Sequence, residues 1–164
     1  LPPLSGPLAA SRYVASGRAG TGPSLLVPLS EVNVFTSTSE SFELDTFVPV
    51  PLLDYPARGA SWNGRRLSYS YGPSTRTVDL TLVKVQGGGG YDTWTVAAPG
   101  GARSITLPDL ATAFPEGALS VGPVSINVYG AQVEAFDYSR ITYRQLAESG
   151  FDAYSLDVFP ARIE

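Results

Sequence analysis

Residues 83–97 read VKVQGGGGYDTWTVA, and this stretch decides the fold class. Four consecutive glycines, residues 87–90, separate two segments in which apolar and polar residues alternate. A phosphate-binding glycine loop joins a strand to the start of a helix, and its P-loop form ends in Gly-Lys-Ser or Gly-Lys-Thr. Here the glycines are followed by aromatic and β-branched residues with strand periodicity. The stretch therefore predicts a β-hairpin with the glycines at its tip, and disfavours both a phosphate cradle and a domain linker.

The same alternation recurs on both sides of the hairpin and predicts an all-β protein. Strands are predicted at Arg12–Ala15, Glu31–Ser37, Ser41–Val48, Leu67–Tyr71, Val78–Val85, Arg103–Leu107, Pro123–Tyr129, Val133–Tyr138 and Tyr154–Phe159. Gly130 and Pro160 are expected to end the strands that precede them. We expect a mostly antiparallel β-sandwich of two sheets that pack their apolar faces together.

One short helix is predicted in the C-terminal region, at Ile141–Ser149. Thr142 and Gln145 have the spacing of a capping box, and Gly150 is a natural C-terminal stop. The chain has 164 residues, which fits one domain. Residues 1–24, rich in Pro, Gly, Ser and Ala, are expected to be an irregular lead-in or linker, and residues 25–164 a single β-sandwich domain.

The composition argues against several classes of function. The chain has no cysteine and no histidine, so a disulfide framework, a thiolate metal site and the usual general base near neutral pH are ruled out. The net charge is −4, the basic residues are scattered, and we expect no nucleic-acid partner. No apolar run approaches the roughly 18–20 residues that span a bilayer.

No cofactor and no metal site are expected. Calcium prefers closely spaced Asp and Asn ligands, and the nearest approaches are Glu43-Leu44-Asp45 and the pair Asp152 and Asp157. No Gly-x-Ser-x-Gly elbow is present for a serine nucleophile. A glycosidase would need two facing carboxylates, and the acids near aromatic residues are Asp92, Glu134, Asp137 and Asp152. Because solvation of the surface is the ordinary role of such residues, we expect no catalytic residue.

Aromatic side chains are the best ligand-binding candidates. Trp62 lies beside the turn dipeptide Asn63-Gly64, and Tyr91 and Asp92 follow the glycine tip. Exposed rings at these positions would stack on sugars, while the tyrosine hydroxyl would orient them. The alternative is that the rings fill the core, and this is what we expect of Trp94, Tyr69, Tyr71 and Tyr129.

The segment from about Thr46 to Tyr129 resembles fibronectin type III and related immunoglobulin-like sandwich modules. The matching stretches are VPVPLLDYP, LSYSY, VDLTLVKV, YDTWTVAAPGGARSITLPDL and GPVSINVYG. Tyr69 stands where that family often has a core tryptophan. The resemblance implies a binding or spacer module outside the cell, and it leaves out residues 1–45 and the segment TYRQLAESG.

These observations together favour a non-catalytic function. We expect a secreted or cell-surface module, with a periplasmic or outer-membrane-associated location included, that adheres to or assembles with protein partners or a surface polymer. The first residue is not methionine, which is compatible with a removed export signal or an upstream lipid anchor. The alternatives are a carbohydrate-binding module that uses Trp62 and Tyr91, and a glycoside-active enzyme with a carboxylate pair.

Overall fold

The computed structural model describes residues 4–20, 27–36, 44, 46–87, 93–109, 115, 118–142, 146 and 151–164. Within these residues the chain forms ten strands. They are β1 (Tyr13–Gly20), β2 (Leu29–Thr36), β3 (Pro51–Tyr55), β4 (Ser61–Trp62), β5 (Arg66–Tyr71), β6 (Leu80–Gly87), β7 (Thr93–Pro99), β8 (Ser104–Thr106), β9 (Gly122–Gln132) and β10 (Ala153–Ile163). Single 3₁₀ turns occur at Gly6–Leu8 and Tyr138–Arg140.

The described strands form two sheets. The larger has seven strands in the order β1-β2-β10-β9-β6-β7, with β4 pairing in parallel with one end of β10. The smaller has three strands in the order β3-β5-β8. The other strand pairs are antiparallel. The predicted all-β, two-sheet antiparallel sandwich is therefore confirmed.

Strands β6 and β7 form the hairpin that the glycine stretch predicts. Their register runs without interruption from Leu80 opposite Pro99 to Gln86 opposite Thr93. Consecutive antiparallel strands in this register confirm the hairpin, and the tip at residues 88–92 lies outside the described residues.

The main core lies between the two sheets and follows from the period of two in a strand. Its members come from the inner faces of both sheets: Trp62, Leu67, Tyr69, Val83, Val85, Ala98, Ile105, Leu107, Val124, Ile126, Val128, Phe159, Ala161 and Ile163. Trp94 and Tyr71 pack against this cluster from partly buried positions, and Tyr69 is fully buried within it. The expected core role of these three aromatic residues is thus confirmed. Tyr129, for which the same role was expected, is buried but belongs to the cluster on the other face of the larger sheet.

A second apolar cluster covers the outer face of the larger sheet. It comprises Leu29, Leu80, Leu82, Tyr129, Ala131, Phe151 and Tyr154, and side chains from the segment after β9 pack on it. All four residues of β6 from Leu80 to Val83 are buried, so this part of the sheet is covered on both faces.

Two predicted strand ends are wrong, because β9 passes through Gly130 and β10 passes through Pro160. Gly130 leaves room for the ring of Tyr71, since a Cβ atom there would lie 2.7 Å from Tyr71 Cε1. Pro160 is tolerated because its carbonyl accepts from Gly59 N, on the side away from β9. The N–H that proline lacks would face the same side, so no β9–β10 hydrogen bond is lost.

Other predicted elements differ from the structure. Val133–Tyr138 is not a strand, because the chain turns there and enters the 3₁₀ turn that Asp137 caps by accepting from Ser139 N at 2.9 Å. Thr46–Val48 is irregular, and Ser30 Oγ donates to Val48 O. In the rest of the expected strand 41–48, Leu44 is described and is not in a strand, and the other residues lie outside the described part of the chain. Most of the expected helix Ile141–Ser149 also lies outside it.

Candidate functional site

Strand β1 is the outermost strand at one end of the larger sheet. It pairs with β2 along all eight of its residues, from Tyr13 opposite Thr36 to Gly20 opposite Leu29. No strand among the described residues pairs with its other side. Five of the eight residues of β1 are Gly, Ala or Ser, and five of the eight are exposed. As far as the described residues show, the outer edge of β1 is therefore open to a further strand.

The direction of the backbone groups in β1 follows from one hydrogen bond in β2. Asn33 N donates to Asp152 O at 2.7 Å, so Asn33 directs its backbone groups away from β1. Its partner Ser16 must then belong to a non-hydrogen-bonded pair, in which N–H and C=O point away from β2. Antiparallel pairs alternate, so Val14, Arg18 and Gly20 have the same orientation as Ser16. These four residues present their N–H and C=O groups at the edge of the sheet.

The other sheet edges carry features that hinder strand addition. Strand β3 begins with Pro51 and has a register shift between Leu53 and Tyr55, and β8 has only three residues. The opposite edge of the large sheet is β7, where the Tyr138 hydroxyl donates to Ala97 O at 2.9 Å and Pro99 lacks an N–H. Strand β1 has no proline, no lysine and no register shift.

The side chains next to the β1 edge change from apolar to polar to charged along the strand. Val14 is 56% exposed and lies opposite Phe35, which is 42% exposed. Two positions further along, Ser16 Oγ donates to Asn33 Oδ1 at 2.6 Å. The next pair is ionic.

That ionic pair is formed by Arg18 and Glu31. Arg18 Nε donates to Glu31 Oε2 at 2.8 Å, and this hydrogen bond raises the pKa of Arg18. An added strand would lie beside an apolar, then a polar, then a charged pair. These pairs would therefore select among the side chains at alternate residues of the added strand.

The structure places the predicted ligand-binding residues differently from expectation. Trp62 is only 1% exposed, and its Nε1 donates to Arg66 O at 2.7 Å. The expectation that its ring forms an exposed stacking platform is wrong, because the ring is part of the main core. Tyr91 and Asp92 lie outside the described residues. The sugar-binding alternative thereby loses the ring on which it mainly depended.

Two acidic residues with little exposed side-chain surface, Glu31 and Asp157, are each paired with an arginine. Asp157 Oδ2 lies 3.3 Å from Arg58 Nη2, while Glu31 binds Arg18. Glu31 shares the outer face of the sheet with Leu29, whereas Asp157 belongs to the inner-facing set of β10 with Phe159. These two carboxylates cannot flank one glycosidic bond.

A second group of acidic residues lies where β9 ends and β10 begins. Burial raises the pKa of Asp152, and the negative charges of Glu134 and Asp79 act in the same direction. The backbone N–H of Glu134 and the guanidinium of Arg76 oppose that shift. Among the described residues, no group of three or more acidic side chains has the arrangement needed to hold a metal ion.

The β1 edge was not predicted from the sequence, which indicated a strand only near Arg12–Ala15. Gly17, Ala19 and Gly20 give the second half of β1 little hydrophobic alternation. The expected lead-in, residues 1–24, contains this strand, and β1 is part of the larger sheet. Its position at an edge depends on strand order, which one strand's pattern does not encode.

No helix in the described part of the chain is both long enough and apolar enough to cross a bilayer. Comparison of the sequence with protein-family models gives no match. No curated protein matches the sequence either.

Proposed function

We propose that this protein is a non-catalytic interaction module that binds an extended segment of a protein partner along β1. The observation that carries the proposal is the open edge of β1, where Val14, Ser16, Arg18 and Gly20 direct their backbone groups away from the sheet. In β-augmentation, a peptide gains affinity by completing such a ladder and gains specificity from its alternate side chains.

The strand order supports membership in the immunoglobulin-like or fibronectin type III-like class. When β3, β5, β6, β7, β8, β9 and β10 are counted as strands one to seven, strands one, two and five form the small sheet. Strands seven, six, three and four follow one another in the large sheet. Immunoglobulin-like sandwiches divide their first, second and fifth strands from their third, sixth and seventh in the same way.

Strands β1 and β2 are then additions to that arrangement. They extend the large sheet beyond its seventh strand, since β2 pairs with β10 over Leu29–Val32. The addition moves the free edge from β10 to β1. A secreted or cell-surface location is part of the proposal, because modules of this class commonly join protein partners outside the cell.

The proposal is tested by selecting linear peptides from a displayed library against the protein and measuring their affinity for two variants of one position. Ser16→Pro removes an N–H that faces the open edge while leaving the β1–β2 ladder intact. Ser16→Ala removes only the side-chain hydrogen bond to Asn33. We expect Ser16→Pro to weaken binding at least about tenfold, because a main-chain hydrogen bond is lost and the proline ring obstructs the added strand.

Ser16→Ala is the matched control and should bind the selected peptides within about twofold of the unchanged protein. Thr95→Pro, on the outer side of β7, is the control for the other edge of the sheet and should also retain binding. Peptides that bind Ser16→Pro as tightly as the unchanged protein, or a selection that yields no peptide sensitive to this variant, would refute the proposal.

A further inference from the structure

A cavity of about 330 Å³ lies at the end of the sandwich where β5 and β7 end and β6 and β8 begin. Its lining residues are Pro49, Tyr71, Gly72, Pro73, Ser74, Arg76, Thr77, Val78, Gly100, Gly101 and Arg103. None of them belongs to β1 or β2, so this cavity is separate from the β1 edge. Its size is at the lower end of the range of small-molecule pockets.

The charges that line this cavity are opposite in sign to the net charge of the protein. Arg76 and Arg103 are both present in the lining, and no acidic residue is. The net charge of the chain is −4, so a wall with two guanidinium groups and no carboxylate is a local exception. Asp152 lies outside the lining and interacts electrostatically with Arg76, so it offsets part of the charge of Arg76. Arg103 is therefore the stronger centre of positive charge.

The guanidinium of Arg103 is held in place on one side. Its Nη1 donates to Gly100 O at 2.7 Å and to Ala102 O at 2.8 Å, and its Cζ lies 5.5 Å from the centre of the Tyr71 ring. Within the described part of the chain, Nε and Nη2 of Arg103 make no hydrogen bond and the residue has no ion-pair partner. The Nε–Nη2 side of a guanidinium is a fork of donors that matches a carboxylate.

The remaining walls favour an organic anion over a bare inorganic ion. Pro49, Pro73 and Val78 supply apolar surface, and Thr77 supplies a hydroxyl group. The Ser74 hydroxyl already donates to Phe47 O. A Cβ atom built on Gly101 meets no atom within 4 Å, so the space beside Arg103 is open. A small aliphatic chain that ends in a carboxylate would bury methylene groups on these walls while its oxygens reach Arg103.

The geometry points to a second binding site in this protein, specific for a carboxylate carried on a short aliphatic chain, with Arg103 as its main anion-binding group and Arg76 as its second. Acidic side chains and chain ends of proteins share this chemistry with free dicarboxylic acids. The site lies outside the β1 edge, and it stands whether or not a peptide binds there.

The test is a titration with glutarate, monitored by ¹H–¹⁵N NMR at constant ionic strength set with sodium chloride. We expect saturable shifts at the amides of Gly72 and Gly101 and at Arg103 Nε, with a dissociation constant on the order of 1–10 mM for one anchored carboxylate. Inorganic phosphate and sulfate form the comparison arms and should bind more weakly, because they gain nothing from the apolar walls.

Three variants separate binding from folding. Arg103→Gln should weaken glutarate binding at least about tenfold. Gly101→Asp places a competing carboxylate in open space, so it should abolish binding while leaving the rest of the spectrum unchanged. Arg162→Gln, at an exposed arginine on β10, is the matched control and should leave binding intact.

Saturable shifts that Arg103→Gln and Gly101→Asp remove and Arg162→Gln retains would establish the site. Shifts that do not saturate, or that persist in a folded Gly101→Asp protein, would overturn it. A preference for phosphate or sulfate over glutarate would overturn the assigned ligand class.

Discussion

The side chain of Trp62 connects β4, β5 and the main core. Trp62 belongs to β4, its ring fills part of the main core, and its Nε1 donates to Arg66 O at the start of β5. The connecting turn uses Gly64 at φ +71°, a left-handed conformation that suits glycine, and Asn63 Oδ1 accepts from Arg65 N. Trp62 therefore has a structural role.

Trp62→Ala should lower the free energy of unfolding by about 3–5 kcal/mol, because a large buried ring is removed and the Arg66 carbonyl loses its donor. Urea denaturation followed by far-ultraviolet circular dichroism measures the change. Trp62→Phe keeps most of the buried surface and should cost clearly less. A loss below about 1 kcal/mol in Trp62→Ala would contradict the buried position of the ring.

Asp152 is expected to make stability depend on pH. Its pKa is raised above the ordinary value of 3.8, mainly by burial and further by the charges of Glu134 and Asp79. The folded state therefore holds the proton more tightly than the unfolded state, and its stability falls as pH rises from about 3.8 through the raised pKa.

Asp152→Asn should therefore raise the free energy of unfolding slightly at pH 7 and give no gain at about pH 3, where the carboxyl is protonated in both states. The gain is small because solvent screens this partly exposed group. Denaturation midpoints at the two pH values measure it. Glu134→Gln, which removes a neighbouring charge, should lower the pKa of Asp152 in a carboxyl NMR titration. An equal gain at both pH values would contradict this account.

At the scale of elements, β10 organises the large sheet because it pairs with three strands. It contacts β9 along its whole length, β2 near its start and β4 near its end. Between the β2 and β4 contacts its second side has no strand partner among the described residues, and Pro160 lies in that gap. The alternation of Tyr154–Phe159 predicted this strand, but its continuation through proline depends on which side each N–H faces.

Two substitutions in neighbouring positions of β10 test this account. Pro160→Ala should change the free energy of unfolding by less than about 1 kcal/mol, because no hydrogen bond to β9 is gained. Ala161→Pro should cost about 3 kcal/mol or more, since Ala161 is paired to Val124 through a ladder bond and is buried. Thermal or urea denaturation of the two variants measures both effects. Similar losses for both variants would show that the backbone directions in β10 are assigned wrongly.

At the scale of the whole molecule, the sequence predicted the two packed sheets better than the order of the strands within them. The glycine hairpin and the alternating runs of β6 and β9 follow from local periodicity, so the two-sheet sandwich could be predicted. The β1–β2 extension and the outer-face cluster around Leu80 and Tyr129 could not, because they depend on which strands become neighbours. The candidate site belongs to this second kind, since an open edge is a property of strand order.

The most direct test of the account is amide hydrogen exchange along β1 in the protein without a partner. Tyr13, Ala15, Gly17 and Ala19 direct their N–H groups toward β2, whereas Val14, Ser16, Arg18 and Gly20 direct theirs away from β2. We expect the amides of Ala15, Gly17 and Ala19 to be protected and those of Ser16, Arg18 and Gly20 to exchange freely. Uniform protection along β1 would show that another segment already covers the edge, and would contradict the proposed docking of an extended partner.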